Sequence, residues 1–533
     1  MKKIIVLSLI LTSVVMLSMT SCKKDDSGSQ IIKYDISSDV ISLDPQIAED
    51  ASAKTLAINM YEGLFRLDEN GELRQGAATS FDSNSDFTTF IFHLRPGATW
   101  TDEKNTEVVA DDFVFGFQRG VQIGTNHDLL IIKNAKEVLN GTKSIHELGV
   151  KSVDKYTFQV DLEYSCSDFP KLTADTSLMP CNRHFFEESN NQYGMLYKKT
   201  ICNGLFRLKN RYAKNPGKSI ELKSNPNYNG SNKPKAAGIF FNIVKPSDNP
   251  IERLKSKETD ACIINYDILE SDRNILNIVS SESYPLGFCF NLENNEMNNL
   301  DIRRAFLCSL NRNYLSSNIN EEKFNIERNM INKDIKIDGG SYRNKLGKDI
   351  YINEEPNTID ILKAGLKEIS QDSIPKVTVL CPDDQTSKDI VSKALETWNK
   401  KFNSYFNMRP LPINKLKAQV MQGNYKIAFC PIIPASDNIF DFLSMFKTDH
   451  PENIFHLKDE QYDNLINSII DLHGNERLSK CEEAENYIIS NAMFYPVCSE
   501  NKYFVTSKNI EGLVFYKYLD CVDFSNAIKH KNR

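Results

Sequence analysis

Several short motifs that mark common enzyme classes are missing from this chain of 533 residues. It has no G-x-S-x-G nucleophile motif, no H-E-x-x-H zinc motif and no G-x-G-x-x-G dinucleotide motif. None of its eight histidines is paired with another at the four-residue spacing of a helical metal site. We therefore expect no catalytic residue, no metal site and no cofactor.

An excess of positive charge is also missing. The chain has 64 Lys and Arg against 71 Asp and Glu, a formal net charge of −7, whereas nucleic-acid binding needs a clustered basic excess. We expect no nucleic-acid partner. The remaining composition, 41% hydrophobic and 25% charged, is typical of a globular protein, and the length predicts three or four domains of about 150 residues.

Tryptophan is scarce and the cysteines are scattered. With two tryptophans, Trp100 and Trp398, the chain offers no aromatic cluster for stacking on sugar rings. None of the twelve cysteines forms the C-x-x-C spacing of zinc and redox sites. Several stand in apolar runs, among them Cys289 and Cys430, and we expect most cysteines to be buried thiols that pack as small hydrophobic groups.

One long apolar run is present, at the amino-terminal end of the sequence. Lys2 and Lys3 precede the apolar stretch 4–16, which is shorter than the roughly 20 residues that span a bilayer. Met19-Thr20-Ser21-Cys22 resembles the cleavage site of bacterial lipoproteins, and an ordinary signal peptide is the alternative. We expect residues 1–21 to be a signal peptide, Cys22 to carry a lipid anchor and residues 22–30 to form a tether. The mature chain would then have a formal charge of −9 and work outside the cytoplasm.

Strand patterns dominate the first half of the chain. Tyr61 to Leu67 and Glu72 to Leu73 flank an Asn-Gly turn, which predicts a hairpin. Apolar residues alternate strictly at Phe90, Phe92 and Leu94, and again from Tyr156 to Leu162, so each segment predicts a strand with one buried face. Asp111 and Asp112 precede the apolar face of a predicted helix, where capping is the expected role.

Helical spacing dominates the second half. Ile302, Ala305, Phe306 and Leu310 follow Asp301, which can cap a helix. Farther on, the strand 377–380, a helix through Trp398 and the strand 425–429 predict a β-α-β unit. Because parallel strands favour ligand binding at their carboxyl ends, we expect a site in the loop after Phe429.

Six strings, in order along the chain, resemble the family 5 solute-binding proteins, the extracytoplasmic peptide-binding lipoproteins of ABC transporters. They are Ser42-Leu43-Asp44-Pro45; Tyr61-Glu62-Gly63-Leu64 with Arg66-Leu67-Asp68; Phe92 to Ala98 with Trp100; Ala110 to Phe115 with Gln118-Arg119; Asn203-Gly204 with Asn225-Pro226-Asn227-Tyr228; and Asp301 to Phe306 with Asn311-Arg312.

The resemblance implies an α/β fold of the class II periplasmic-binding-protein type, with two α/β lobes, a hinge and an inserted α+β domain. Lobe I would comprise residues 23–60, 200–289 and 500–533, the inserted domain II residues 61–199 and lobe III residues 290–499. The protein would be a monomer, lipid-anchored to the bacterial cell membrane on its outer face or its periplasmic side.

The resemblance also implies a function without catalysis. An extended peptide would be held between the lobes by main-chain hydrogen bonds, and the closed form would be delivered to an ABC permease. The alternatives within this fold are a receptor for a non-peptide solute, such as a metal chelate or a glycan, and a peptide-signal sensor without a permease.

The ligand contacts that the resemblance implies depart from the family at one point. A gapless reading places Ile432 where peptide-binding members have a tryptophan, and Ala435 where they have the aspartate that pairs with the peptide's amino terminus. Either Asp437 or Glu49 replaces that aspartate, or the ligand has no free amino group there. A shifted alignment or a non-peptide ligand is the remaining interpretation. The predicted contacts are Glu49, Ala51, Phe288, Pro431, Ile432, Ile433, Pro434, Ala435, Ser436 and Asp437, and core packing is the competing interpretation of each.

Overall fold

The computed structural model describes most of the chain between residues 30 and 530. It leaves out residues 38, 49, 69–70, 125–126, 164–165, 167–168, 211–213, 216, 232, 246, 265–269, 322, 339, 404, 435–436, 449, 451, 470–471, 473 and 517–520. The predicted signal peptide and Cys22 lie outside the described residues, as do Glu49, Ala435 and Ser436. Within the described part, no helix combines the length and the apolar character that a membrane crossing requires.

The described strands are β1 (Ile31–Ile36), β2 (Phe65–Leu67), β3 (Leu73–Gln75), β4 (Ala78–Ser83), β5 (Thr89–Leu94), β6 (Val150–Asp154), β7 (Thr157–Asp161), β8 (Phe206–Leu208), β9 (Lys214–Asn215), β10 (Ser219–Ser224), β11 (Gly238–Ile243), β12 (Ala261–Ile264), β13 (Leu276–Phe290), β14 (Phe324–Ile326), β15 (Lys336–Ile337), β16 (Gly340–Ser341), β17 (Val377–Pro382), β18 (Phe406–Leu411), β19 (Ile427–Pro431), β20 (Phe494–Ser507), β21 (Ile510–Glu511), β22 (Val514–Tyr516), β23 (Cys521–Asp523) and β24 (Ile528–Lys529).

The described α-helices are α1 (Ala51–Met60), α2 (Ala110–Ile123), α3 (Ala135–Leu139), α4 (Phe169–Leu172), α5 (Arg183–Glu188), α6 (Pro250–Lys255), α7 (Glu270–Arg273), α8 (Asn295–Asn298), α9 (Leu300–Cys308), α10 (Arg312–Ser316), α11 (Tyr342–Leu346), α12 (Thr358–Glu368), α13 (Gln385–Phe402), α14 (Ile413–Met421), α15 (Ile439–Ser444), α16 (Glu460–Asn467) and α17 (Gly474–Ser490).

A sheet of twelve strands runs through the molecule, in the order β18-β17-β19-β13-β20-β12-β1-β11-β10-β8, with β14 beside β20 and β9 beside β10. Its two longest strands, β13 and β20, have 15 and 14 residues and pair antiparallel in the middle of this order. The pairing is irregular between Glu282 and Pro285 and again between Leu286 and Gly287. These two strands therefore join the parallel group β17, β18 and β19 to the group built around β1.

Two large hydrophobic clusters take in different parts of these long strands. The first includes residues from Ile32 to Ala261 and from Phe504 to Ala527, and Trp100 is among its fully buried side chains. It also contains the inner faces of the separate four-stranded sheet β4-β5-β7-β6. The second cluster extends from Phe288 to Cys498 and contains Trp398.

Several predicted elements are confirmed. Strands β5 and β7 alternate buried and partly exposed residues, and the side chains of Phe90, Phe92, Phe158 and Val160 are fully buried. The hairpin around Gly71 is formed by β2 and β3, although its first strand begins at Phe65 rather than Tyr61, because Tyr61 caps the end of α1.

Two local predictions in the second half are wrong. Helix α9 is capped by the side chain of Asn299, which accepts a hydrogen bond from the N–H of Ile302, rather than by Asp301. The predicted β-α-β unit omits two elements, because β18 and α14 lie between α13 and β19. Strand β17 pairs in parallel with both β18 and β19, so the unit is β-α-β-α-β.

Ten of the eleven described cysteines are buried. Cys166 is partly exposed. Burial raises the pKa of most of these thiols, for example that of Cys202 to about 11. Such groups are protonated and unreactive at neutral pH, as expected for cysteines that pack as small hydrophobic side chains.

Candidate functional site

A cavity of about 530 Å³ lies at the carboxyl ends of three strands in the β1 group. Strand β1 pairs in parallel with β11 and with β12, so the three carboxyl ends meet at one edge of the sheet. Ala51, a predicted ligand contact, lines this cavity at the first position of α1. Open α/β sheets bind ligands at such edges.

The wall of this first cavity includes charged groups of both signs. Arg253 donates from Nε to Asp35 Oδ2 at 2.7 Å and from Nη2 to Oδ1 at 3.1 Å. This hydrogen-bonded pairing with Asp35 raises the pKa of Arg253. Lys245 and Asp248 add one charge of each sign. A cavity with such walls suits a ligand rich in hydrogen-bonding groups.

A second cavity, of about 580 Å³, adjoins the segment 39–53. Its other wall includes Phe186 and Tyr193 from the first half of the chain. The apolar side chains of Ile41 and Met195 line it while remaining exposed, by 76% and 45%.

A buried ion pair holds the segment 39–53 in place. Arg119 of α2 contacts Asp44 through Nη2–Oδ2 at 2.6 Å and Nη1–Oδ1 at 3.1 Å, and its Nη1 also donates to Gln46. Burial lowers the pKa of Arg119, but the Asp44 carboxylate more than offsets this, so the pKa lies above the usual value. The guanidinium also lies 4.0 Å from the ring centroid of Phe186. The wall of the second cavity is therefore preorganised.

The predicted contact loop begins at the carboxyl end of β19. Pro431 ends the strand, and Ile432 is fully buried, with its N–H donating to the carbonyl of Pro285 in β13 at 3.1 Å. Ile433 is exposed and Pro434 is buried. The side chain of Ile432 consequently packs in the core, whereas that of Ile433 is open to a ligand.

Asp437, the candidate partner of a ligand ammonium group, already has a cation beside it. Its Oδ2 lies 2.7 Å from Nζ of Lys336, and its carbonyl accepts a hydrogen bond from the N–H of Lys336 at 2.5 Å. Both side chains are partly exposed. A ligand ammonium at Asp437 would have to share or displace Lys336.

Phe288 lies in the core rather than on a surface. Its exposed fraction is 0%, and its ring centroid is 5.4 Å from that of Trp398 and 5.0 Å from that of Phe429. In this conformation it offers no surface to a ligand.

Several of the strings that carry the family resemblance make buried polar contacts with one another. Glu62 accepts from Nη2 of Arg95 at 2.7 Å and from the hydroxyl of Tyr228, and the side chain of Asn203 bonds the Glu62 backbone. Trp100 Nε1 donates to Asp112 Oδ2 at 3.0 Å. In the sequence, these contacts are indicated by charged residues that stand within apolar strings. Such residues can be buried because they form ion pairs or hydrogen bonds with one another.

The family model described as bacterial extracellular solute-binding proteins, family 5 Middle, matches residues 72–453. The chain belongs to this family.

Two of its relatives match over most of their length. The chain is 24% identical over 516 residues to "Oligopeptide-binding protein OppA" of Bacillus subtilis (strain 168), covering 92% of this chain and 91% of that protein. It is 24% identical over 484 residues to "Probable deoxycholate-binding periplasmic protein YgiS" of Escherichia coli (strain K12), covering 88% of each. The solved structure "Listeria monocytogenes OppA bound to peptide" superimposes with a TM-score of 0.73 at 21% identity, covering 95% of this chain and 100% of that one. The fold is therefore that of the OppA-type solute-binding proteins, as predicted.

Proposed function

We propose that this protein is the substrate-binding lipoprotein of an ABC importer, which captures extended peptides between two lobes and delivers them to a membrane permease. The observation that carries the proposal is the division of the molecule into two hydrophobic clusters joined by β13 and β20. Two cores connected through long strands suit closure around a ligand, because each half can move as a unit while the strands bend.

The proposed lobes keep the predicted boundaries: residues 23–60, 200–289 and 500–533 for lobe I, 61–199 for domain II and 290–499 for lobe III. The register irregularities of β13 near Glu282 and Leu286 are the proposed hinge. Cys22 is the proposed anchor, which keeps the monomeric protein at the membrane beside its permease.

Peptides are the proposed ligand class for two reasons. Most of the similar proteins carry names that refer to oligopeptides or dipeptides, such as OppA of Bacillus subtilis. A glycan is disfavoured because both tryptophans are fully buried, Trp100 against Asp112 and Trp398 with its Nε1 donating to the carbonyl of Phe306 at 3.0 Å.

Mass spectrometry of the ligand released from the purified protein tests the ligand class. We expect peptides of mixed sequence, since main-chain hydrogen bonds give affinity without a fixed side-chain requirement. Small-angle X-ray scattering should then show a smaller radius of gyration after synthetic peptide is added to ligand-free protein. Recovery of a bile acid such as deoxycholate, with no peptide binding by calorimetry, would contradict the proposal.

The amino terminus of the peptide is proposed to bind Asp437. Because Lys336 already neutralises Asp437, the substitution Lys336→Met should strengthen the binding of peptides with a free amino terminus and leave their N-acetylated forms unchanged. Isothermal titration calorimetry with both forms measures this difference. Equal affinity for the two forms in both proteins excludes Asp437 from the role.

A further inference from the structure

Two cysteine sulfurs are in contact in the core, where β13 pairs with β19. Sγ of Cys289 lies 3.4 Å from Sγ of Cys430, and both side chains are buried. The two residues are 141 positions apart in the chain, so the tertiary fold brings them together. Two thiols in contact can form a bond with each other, which a single buried thiol cannot do.

The register of the two strands explains this contact. Gly287 is directly opposite Cys430, and Ala428 is directly opposite Cys289. Opposite residues, and residues two positions apart on one strand, share a face of the sheet, so the two cysteines are diagonal neighbours on one face. Because glycine has no side chain and alanine has only a methyl group, neither separates the two sulfurs.

The distance between the sulfurs is close to that of a covalent bond. The sulfurs of a disulfide are about 2.05 Å apart, so these two would have to approach each other by roughly 1.4 Å. The ladder from Leu286–Pro431 to Phe290–Ile427 already holds the two strands together here. Small rotations of both side chains, with a slight approach of the strands, cover the remaining distance.

One of the two thiols borders a cavity. Cys430 lines a cavity of about 180 Å³ beside α14, together with Ile413 and Ile433, whose side chains are 52% and 40% exposed. Cys289 is fully buried behind it in β13. A small reagent that enters from the surface therefore meets Cys430 first.

We propose that Cys289 and Cys430 are a redox-active pair, which a small organic disulfide converts into a disulfide bridge between β13 and β19. The thiolate of Cys430 attacks the organic disulfide, forms a mixed disulfide with one half of it and releases the other half as a thiol. The sulfur of Cys289 then attacks the sulfur of Cys430, and a second thiol leaves. The two cysteines give up two protons and two electrons, which the two released thiols take up.

The bridge fastens the base of the predicted contact loop. Cys430 directly precedes Pro431, where β19 ends. Ile432 then donates its N–H to the carbonyl of Pro285 in β13 at 3.1 Å. In the reduced protein this hydrogen bond opens whenever the end of β19 separates from β13, and the bridge prevents that separation. The oxidation state of the pair thus controls how easily the loop opens.

The exchange is slow in the folded protein. Contact with Cys289 and burial raise the pKa of the Cys430 thiol. Because the thiolate is the attacking species, a thiol with a raised pKa reacts slowly at neutral pH. The pair is therefore suited to recording a lasting oxidising condition rather than to rapid catalysis.

Mass spectrometry of a non-reducing digest tests the bridge. Purified, reduced protein is incubated with hydroxyethyl disulfide at mildly alkaline pH, and a second sample is refolded from guanidinium with the same reagent, so that burial alone does not prevent the reaction. We expect a cross-linked peptide pair that contains Cys289 and Cys430. Recovery of both thiols unmodified from both samples, or cross-links between other cysteines alone, would overturn the proposal.

Two further measurements test what the bridge does. The bridged protein should melt at least about 5 °C above the reduced protein, because the bond closes a long loop of the chain. Hydrogen exchange at the amide of Ile432 should slow at least about tenfold. Equal exchange rates in the bridged and the reduced protein would overturn the control of the loop.

Single variants assign the role of each thiol. Cys289→Ala should retain the mixed disulfide on Cys430, whereas Cys430→Ala should form none at Cys289, and neither should gain thermal stability on oxidation. Cys308→Ala is the matched control, since the buried Sγ of Cys308 donates to Glu355 Oε1 at 3.5 Å. This variant should form the bridge as the wild type does. A gain in melting temperature on oxidation of Cys289→Ala as large as that of the wild type would overturn the assignment.

Discussion

Asp112 has the role that the sequence predicts and a second role that the sequence does not predict. Its place in the first turn of α2 predicts capping, and its Oδ2 does accept the N–H of Val109 at 3.0 Å. The same oxygen accepts from the indole of Trp100, which the sequence could not predict because β-bridge and loop geometry bring the two together. Burial raises the pKa of Asp112 to about 6.

This raised pKa predicts a pH dependence of stability. Between about pH 4 and pH 6 the folded protein binds the Asp112 proton more tightly than the unfolded chain does. The contribution of Asp112 to the free energy of unfolding therefore rises as the pH falls through this range, and it is lost as the pH rises through 6. The full effect is at most about 3 kcal/mol. Melting temperatures from pH 4 to 7 should vary less with pH in Asp112→Asn than in the wild type. The exposed neighbour provides the control, Asp111→Asn, and parallel curves for wild type and Asp112→Asn would contradict the prediction.

At the level of elements, the spacing of apolar residues in the sequence identifies strands and helices that have one continuous buried face. It misses the elements that have no such face. β5 and β7 alternate strictly and were predictable. β18 is an edge strand in which Phe406 and Leu411 are the buried residues, so it has no alternation. α14 has two buried positions, Leu416 and Val420, and its other residues are exposed or partly exposed.

The contact between α2 and the segment 39–53 gives a prediction about stability. Arg119→Met leaves the buried Asp44 carboxylate without its cation, and loss of one partner from a buried pair costs about 3–5 kcal/mol. Denaturant unfolding should show this loss, with partial recovery in the double variant Asp44→Asn/Arg119→Met. The exposed pair Lys209–Glu221 is the control, since Lys209→Met should cost less than about 1 kcal/mol. Equal costs for the two single variants would contradict a special role of the buried pair.

At the level of the whole molecule, the sequence predicted the family and the fold class, whereas its predicted ligand contacts remain predictions. The strings of the resemblance, such as those of Glu62 and Arg95, bury polar contacts that hold the first half together, so they identify the fold. The loop after β19, the predicted contact loop, has its environment set by β13, which pairs with β20. That pairing joins residues more than 200 positions apart, for example Leu286 and Cys498, and no local pattern reveals it.

The two hydrophobic clusters predict that each half has its own unfolding transition. Trp100 belongs to the first cluster and Trp398 to the second, so Trp398→Phe and Trp100→Phe each leave a fluorescent reporter in an intact half. In guanidinium, we expect the two reporters to give different midpoints, because β13 and β20 are the main connection between the halves. A peptide that contacts both halves binds only when both are folded. At a concentration of 100 times its Kd, the peptide should raise the free energy of unfolding by about 2.7 kcal/mol and bring the two midpoints together. Coincident transitions without peptide would contradict this prediction, because they would mean that the two halves unfold as one unit. Closure of the lobes around a peptide would then require a single cooperative structure to bend.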